Sequence, residues 1–465
     1  MSDLFDFGLV GLGVMGRNFI LNVVDSDFSA IGLDTDPEKV AALKVEGGEK
    51  KVDGTVDAKT FIDALAVPRK VMLLVPAGKP VDAVIDTLAP LMDSGDIIID
   101  GGNSFFEDTE RRITHLEKMD IHFFGSGVSG GAKGARFGPS IMPGGNREAY
   151  AHVRPIFEAA SAKVDGDPCV AYMGRGSAGN YVKMVHNGIE YGMMQLISEI
   201  YDVAKRGLNY PNQKMASLFD QWNQGRLQSF LVEITAEIFT KEDDLTDQDL
   251  VDVILDKAKQ KGTGKWTSQN AMDLGTPVPT IDAAVTMRVV SAFKHLRVKA
   301  SKVYGQLATT DSDQPSDEML ENALLFAFIV TYAQGMTQLK VASDEYSYEL
   351  NLETTAKIWR GGCIIRAALL EDIRKAFDKD PALDSLLLDD HFAELLKSIE
   401  QDARAVLTYA IGNGIPMSGL SASLNYFDAF RSERLPLNLI QAQRDHFGSH
   451  TYERLDREGI FHTEW

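Results

Sequence analysis

In this 465-residue chain the run Lys183-Met-Val-His-Asn-Gly-Ile-Glu-Tyr-Gly192 has the residue types and spacing that say most about chemistry. As a helix it puts Lys183, His186, Asn187 and Glu190 at i, i+3, i+4 and i+7, on one face over two turns. Val185, Ile189 and Met193 face elsewhere. A lysine and a glutamate about 10 Å apart along the axis could serve opposite ends of a short substrate as base and acid. Taken alone, the same pattern fits a solvated helix face. Basic residues also gather at Lys257, Lys259, Lys261 and Lys265 around Gly262-Thr263-Gly264, followed by Arg288, Lys294 and Arg297. Lysines flanking a Gly-Thr-Gly turn suit a phosphate through charge-assisted hydrogen bonds, although a surface loop with compensating charge would look similar.

A second set of residues points to a dinucleotide. Gly11-Leu12-Gly13-Val14-Met15-Gly16 follows an apolar run and opens a helix-like stretch, the context this fingerprint requires. Gly11 permits the tight turn, Gly13 lets the backbone approach a pyrophosphate and Gly16 allows close helix packing. A second apolar run ends at Asp34, where a carboxylate can accept from a ribose diol. Further turns lie at Val75-Pro76-Ala77-Gly78 and at Asp100-Gly-Gly-Asn103-Ser104, placing Asn103 within reach of a nicotinamide. The stretch 125–131 reads as an amide-rich loop beside Ser129, suited to a carboxylate.

The elements that must position these groups follow from the pattern. Residues 7–10, 29–33, 70–75, 96–100, 122–125 and 169–173 read as short strands alternating with helices, which predicts βαβ units and a mainly parallel sheet. After residue 179 long apolar-periodic stretches, 181–206 and 318–342 among them, predict an almost all-helical half. The expected division is a Rossmann-like α/β domain over 1–178, an all-α domain over 179–434 and a docked tail over 435–465. Apolar residues make up 44% and charged residues 25%, as in ordinary globular chains, and the net charge of −20 argues against nucleic acid or an anionic membrane as partner. An anionic substrate would then need a local basic pocket. The apolar run 323–333 is too short for a membrane span and reads as a buried helix. Cys169 and Cys363 fit no metal spacing, so no metal is expected. With acidic residues where an export signal needs positive charge, a cytoplasmic location is expected.

Together the stretches IIDGGNS, GSGVSGGAKGARFGPSIMPGG, KMVHNGIEYG, QKGTGKWT and RSERLPLNLIQAQRDHFGSHTYE closely resemble the long form of the 6-phosphogluconate dehydrogenase family, from end to end. Shorter β-hydroxyacid dehydrogenases typically lack the phosphate loop and the tail. The resemblance implies oxidation of 6-phosphogluconate at C3 by a nicotinamide cofactor and loss of CO2 to give ribulose 5-phosphate, a step of the pentose phosphate pathway. It implies Lys183 as general base and Glu190 as general acid. Asn103, Ser129, Gly130, Gly131, His186 and Asn187 match contacts to the carboxylate and hydroxyls, and Tyr191, Lys261, Thr263 and Arg288 match the phosphate end. Arg444 and His450 match tail residues that reach a partner subunit's site, which implies a homodimer with shared sites, alone or as a dimer of dimers. Three positions depart from the pattern. Asp34, Thr35 and Asp36 stand where Asn-Arg-Thr is usual, Pro76 replaces a lysine and Asn180 replaces a histidine. The first two remove positive partners for an adenosine 2′-phosphate, so NAD is expected over NADP, the less favoured alternative.

Overall fold

A computed structural model describes residues 4–305 and 313–465. Its first half is a seven-stranded sheet of β1 (Phe7–Val10), β2 (Ala30–Leu33), β3 (Val52–Thr55), β4 (Lys70–Leu73), β5 (Ile97–Asp100), β6 (His122–Val128) and β7 (Ile141–Gly144), in the order β3-β2-β1-β4-β5-β6-β7. Helices α1 (Val14–Asp25), α2 (Pro37–Gly47), α3 (Ala58–Asp63), α4 (Lys79–Leu88), α5 (Phe106–Glu117), α6 (Gly131–Phe137) and α7 (Arg147–Ala160) connect the strands. Strands β1 to β6 run parallel and are fully buried at β1, β2 and β5, as expected where helices cover both faces. One hydrophobic cluster, with Phe19 and Phe157, covers one face, and another, with Phe61 and Phe123, covers the other.

The sheet departs from the sequence reading at three places. β3, whose Val52-Asp-Gly-Thr carries little apolar signal, pairs with β2 at the edge. Residues 169–173 are not a strand, because β7 takes that edge, antiparallel to β6, and leaves them a single bridge from Val170 to Ile141. The stretch 125–131 is not one loop either. Gly125 to Val128 pair with β7, and their glycines answer to packing: a Cβ on Gly127 would lie 2.3 Å from Lys183 Cβ. Only Ser129 to Gly131 form the turn.

The second half is helical. α8 (Ala178–Asp202) crosses from the sheet into the helical core and is buried along most of its length. The Asp317–Glu345 helix packs against α8 and against the Asp390–Gly412 helix. It is long and apolar enough to cross a membrane by length and composition, yet 89% of its most apolar window is buried inside the protein. The tail begins with the Leu437–Gly448 helix, and residues 449–465 fold back onto it through Asp445, which accepts from Thr451 N, Thr463 N, Trp465 Nε1 and His462 Nδ1. It is docked on itself and not on the body: Leu437, Leu439, Ile440 and Phe447 are all more than half exposed.

Candidate active site

Parallel strands deliver their carboxyl-end turns to one edge of the sheet. Gly11 follows β1, Asp34 follows β2, Val75 lies just past β4, residues 101–103 follow β5 and Ser129 follows β6. At the first turn Gly11 has φ +97°, and a Cβ on Gly16 would lie 1.8 Å from Gly11 O, so α1 starts tight against the strand. Beside Gly13, where an added Cβ would meet nothing within 4 Å, the helix N-terminus opens to solvent with no side-chain cap. These free amides, with Leu12, Val14 and Met15 around them, fit a pyrophosphate. Buried Arg112 ties the neighbouring turns together: it donates to Gly78 O at 3.1 Å and pairs with Asp82 at 2.8 Å and Asp100 at 3.4 Å. Val75, Pro76, Ala77 and exposed Asn103 therefore sit on a braced rim.

Asp34 is already engaged. Its two carboxylate oxygens accept from Leu12 N at 2.7 Å and Asp36 N at 3.0 Å, while Asp36 caps α2 through Glu38 N. Thr35 is exposed. The nearby cations are paired as well, Lys39 with Asp34 and Asp36 at 3.5 and 3.8 Å, and Arg17 with Glu46 at 3.1 Å.

On α8 the four polar residues do share a face, and that face is buried rather than solvated. Lys183 is 5% exposed and His186 fully enclosed. Lys183 Nζ lies 3.2 Å from His186 Nδ1, which is 3.1 Å from Asn187 Oδ1, and His186 Nε2 lies 3.2 Å from Ser129 Oγ. Glu190 Oε2 approaches the imidazole to 3.9 Å. Burial lowers the Lys183 ammonium below its usual range, outweighing the attraction of Glu190, and it raises the Glu190 carboxyl against the pull of Lys183 and Arg288. His186 is held well below its ordinary value, by burial and then by Lys183, so it is neutral. The Ser129 turn is fixed from a third direction, since Ile364 N donates to Ser129 Oγ at 3.4 Å. Gly130, at φ +107°, leaves no room for a side chain, because a Cβ would lie 2.5 Å from Gly362 O.

Past Glu190 the wall becomes basic. Arg288 stacks over the Tyr191 ring at 3.6 Å and donates to Lys259 O at 3.0 Å. Thr263 opens the Thr263–Asp273 helix behind Gly262, with Lys261 exposed before it. Lys294 and Arg297, grouped with these in the sequence, are spent on Asp256 at 2.6 and 2.8 Å. Arg444 and His450 do not join this wall within the chain. Both are exposed, Arg444 donating to Gln441 and His450 packing on Phe447. Among the described residues no three His, Cys, Asp or Glu side chains converge.

The arrangement is a dinucleotide rim and a basic wall linked by one helix that carries a lysine and a glutamate two turns apart. Residues 6–174 match the NAD binding domain of 6-phosphogluconate dehydrogenase, and residues 179–465 match that enzyme's C-terminal domain. This chain belongs to the 6-phosphogluconate dehydrogenase family. Its curated relatives include the NADP(+)-dependent, decarboxylating 6-phosphogluconate dehydrogenase of Bacillus subtilis, 50% identical over 98% of each chain. The decarboxylating enzyme of Escherichia coli K12 is 49% identical, again over 98% of each. Among solved structures the Plasmodium falciparum 6-phosphogluconate dehydrogenase superposes with a TM-score of 0.96 at 46% identity, covering 99% of this chain and 100% of that one.

Two parts of the site escaped the sequence reading. The 360–366 segment closes over Ser129 through Gly362 and Ile364, and Trp359 stands edge-on to His186 at 5.5 Å. Paired glycines just past a tryptophan and an arginine, at Gly361 and Gly362, were the available signal. Asn180 was seen only as a departure from the family pattern, yet it is a buried bridge.

Proposed function

We infer that this chain catalyses the oxidative decarboxylation of 6-phospho-D-gluconate to ribulose 5-phosphate and CO2, with Lys183 as base and Glu190 as acid. One observation carries the reading: on a single helix face, burial pushes a lysine toward neutrality and a glutamate toward protonation, beside a basic phosphate wall. A nicotinamide bound at the Gly11 to Gly16 turn, with Asn103 near its ring, would supply the acceptor for the hydride from C3. Neutral Lys183 takes the C3 hydroxyl proton as the ketone forms. The resulting ammonium then donates to the ketone oxygen while the C1–C2 bond breaks, so the electron pair moves into the enediol and CO2 leaves. Glu190 delivers its proton to the terminal enediol carbon as Lys183 recovers the hydroxyl proton, which completes ribulose 5-phosphate; transfer of that proton from the Lys183 ammonium to the Glu190 carboxylate then restores both groups.

Ser129, Gly130, Gly131, His186, Asn187 and Asn103 hold the carboxylate and hydroxyl end, and Tyr191, Lys261, Thr263 and Arg288 the phosphate. Residues 1–178 bind the coenzyme, 179–434 the sugar phosphate, and the tail from 435 completes a neighbour's site with Arg444 and His450, in a homodimer. The tail's exposed apolar face supports that reading. A cytoplasmic setting goes with it, supported by the two free, buried cysteines. The preferred coenzyme is NAD. Carboxylates at Asp34 and Asp36, a neutral Thr35 and the ion-paired Lys39 and Arg17 leave a 2′-phosphate facing negative charge without a free cation. The test is formation of reduced coenzyme and CO2 from 6-phosphogluconate with each coenzyme in turn; absence of CO2 would overturn the assignment.

A further inference from the structure

Asn180 lies one turn ahead of Lys183 on α8 and is 2% exposed, and no step of the chemistry uses it. Its side chain joins three elements. Oδ1 accepts from Thr109 Oγ1 of α5 at 2.8 Å, and Nδ2 donates to the carbonyl of Gly102, in the turn after β5, at 3.3 Å. The orientation of the amide is set by chemistry. Thr109 has one hydroxyl proton, and its other acceptor, Phe105 O, lies at 3.5 Å, so the shorter bond directs Oδ1 to the hydroxyl and Nδ2 to the carbonyl. The third element is β6, where a Cβ on Gly125 would fall 1.7 Å from Asn180 Oδ1; the strand admits the amide only because it carries no side chain there.

Gly102 precedes Asn103, the residue at the rim between coenzyme and substrate. We propose that Asn180 is a positioning residue that pins the turn at Gly102 and Asn103 to α8 one turn from Lys183, so that the coenzyme-binding half and the catalytic helix meet the substrate in fixed register. The proposal rests on the reading of Asn103 and Lys183 given above. The bridge matters because hydride leaves C3 toward the coenzyme while Lys183 takes the proton of the C3 hydroxyl, and a misplacement of about 1 Å costs on the order of 100-fold in rate. An amide also suits the task because its donor and acceptor ends keep their roles at any physiological pH.

The experiment uses the full chain and four variants. Asn180→Ala removes both bonds. Asn180→Asp keeps an acceptor for Thr109 but offers Gly102 O no donor. Asn180→His offers, as a neutral imidazole, one acceptor and one donor. Asn103→Ala removes the residue through which the bridge acts. In unliganded protein, hydrogen exchange over residues 98–105 should speed up in Asn180→Ala and Asn180→Asp and not elsewhere, while coenzyme affinity by equilibrium titration changes less than about 3-fold, the scale of one neutral hydrogen bond. kcat should fall ~10- to 100-fold in both and recover in Asn180→His. The deuterium isotope effect with 3-deuterated substrate should rise as hydride removal becomes the slow step. In the Asn103→Ala background, Asn180→Ala should cost little more. Unchanged exchange over 98–105, or penalties that multiply in the double variant, would overturn the proposal. Full kcat in Asn103→Ala would instead overturn the underlying site reading. Should Asn180→Ala not fold, Thr109→Val carries the same exchange test, because the amide then loses the hydroxyl that orients it.

Discussion

A lysine that must take a proton near neutral pH has to be kept from already holding one, and at Lys183 that is achieved by enclosure. The neighbours that would restore its charge are outweighed by the loss of water, and the same enclosure raises Glu190. Lys183→Met should therefore leave the fold and coenzyme binding intact and lower kcat ~100- to 10,000-fold, the usual cost of removing a general base; stopped-flow reduction of the coenzyme measures it. In the proposed mechanism the active form has Lys183 neutral and Glu190 protonated. Its population falls as pH drops and the lysine gains a proton, and falls again as pH rises and the glutamate loses one, so kcat/KM is bell-shaped with limbs that belong to the pair. Glu190→Gln has no proton to lose, and its profile should keep the acid limb while losing the basic one. At the coenzyme rim, kcat/KM at equal ionic strength should favour NAD. Asp34→Asn with Thr35→Arg should shift the ratio toward NADP by 10-fold or more, about 1.4 kcal/mol; a ratio that does not move would show that the 2′-phosphate is met elsewhere.

At the scale of elements, α8 carries the proposed acid and base, and each neighbour brings one more part to it: β6 the Ser129 turn, α5 the Thr109 contact and the Thr263–Asp273 helix the basic wall. The tail is an element of another kind, gathered around one carboxylate that takes four of its hydrogen bonds. Burial alone would raise Asp445, but its hydrogen bonds from His462, Thr463, Trp465 and Thr451 outweigh that and hold it at about 2. Because its folded value lies below the ordinary carboxylate range, the stabilisation is complete above about pH 4 and is lost as pH falls from there toward about 2. Asp445→Ala should free residues 449–465 from the Leu437–Gly448 helix at neutral pH. Hydrogen exchange over 437–465 should then accelerate while the Rossmann-like half stays protected.

Across the whole molecule, one chain does not bring Arg444 or His450 to its own basic wall, and it leaves Phe293, Leu296, Val303 and Tyr304, on the segment that follows Arg288, at 48–86% exposure. A chain of net charge −20 needs every cation it can gather around an anionic substrate. Truncation before Leu435 should raise the KM for 6-phosphogluconate at least 10-fold, with coenzyme affinity nearly unchanged. Sedimentation and activity measured over the same dilution series should fall together; a monomer with full activity would exclude shared sites.

Much of this protein was legible in its residues because local spacing dictates local structure. The Gly11 to Gly16 turn after an apolar strand, the helical spacing of Lys183, His186, Asn187 and Glu190, and the long apolar period over 318–342 each depend only on near neighbours, and each stands in the structure as read. What the sequence could not reveal depends on partners far along the chain. Val52-Asp-Gly-Thr becomes a strand because β2 offers it an edge, and 169–173 fails to become one because β7 has taken the place beside β6. The glycines of 125–128 read as an anion loop until α8 is laid across them, when they prove to be the clearance for Lys183 and Asn180. Lys294 and Arg297 looked available until Asp256 met them. Ser129, His186 and Ile364, separated by up to 235 residues, become one network only when helix and sheet close over them. Spacing determines which face a side chain takes; only packing decides what waits on the other side of it, and so whether it is solvated, paired or poised to react.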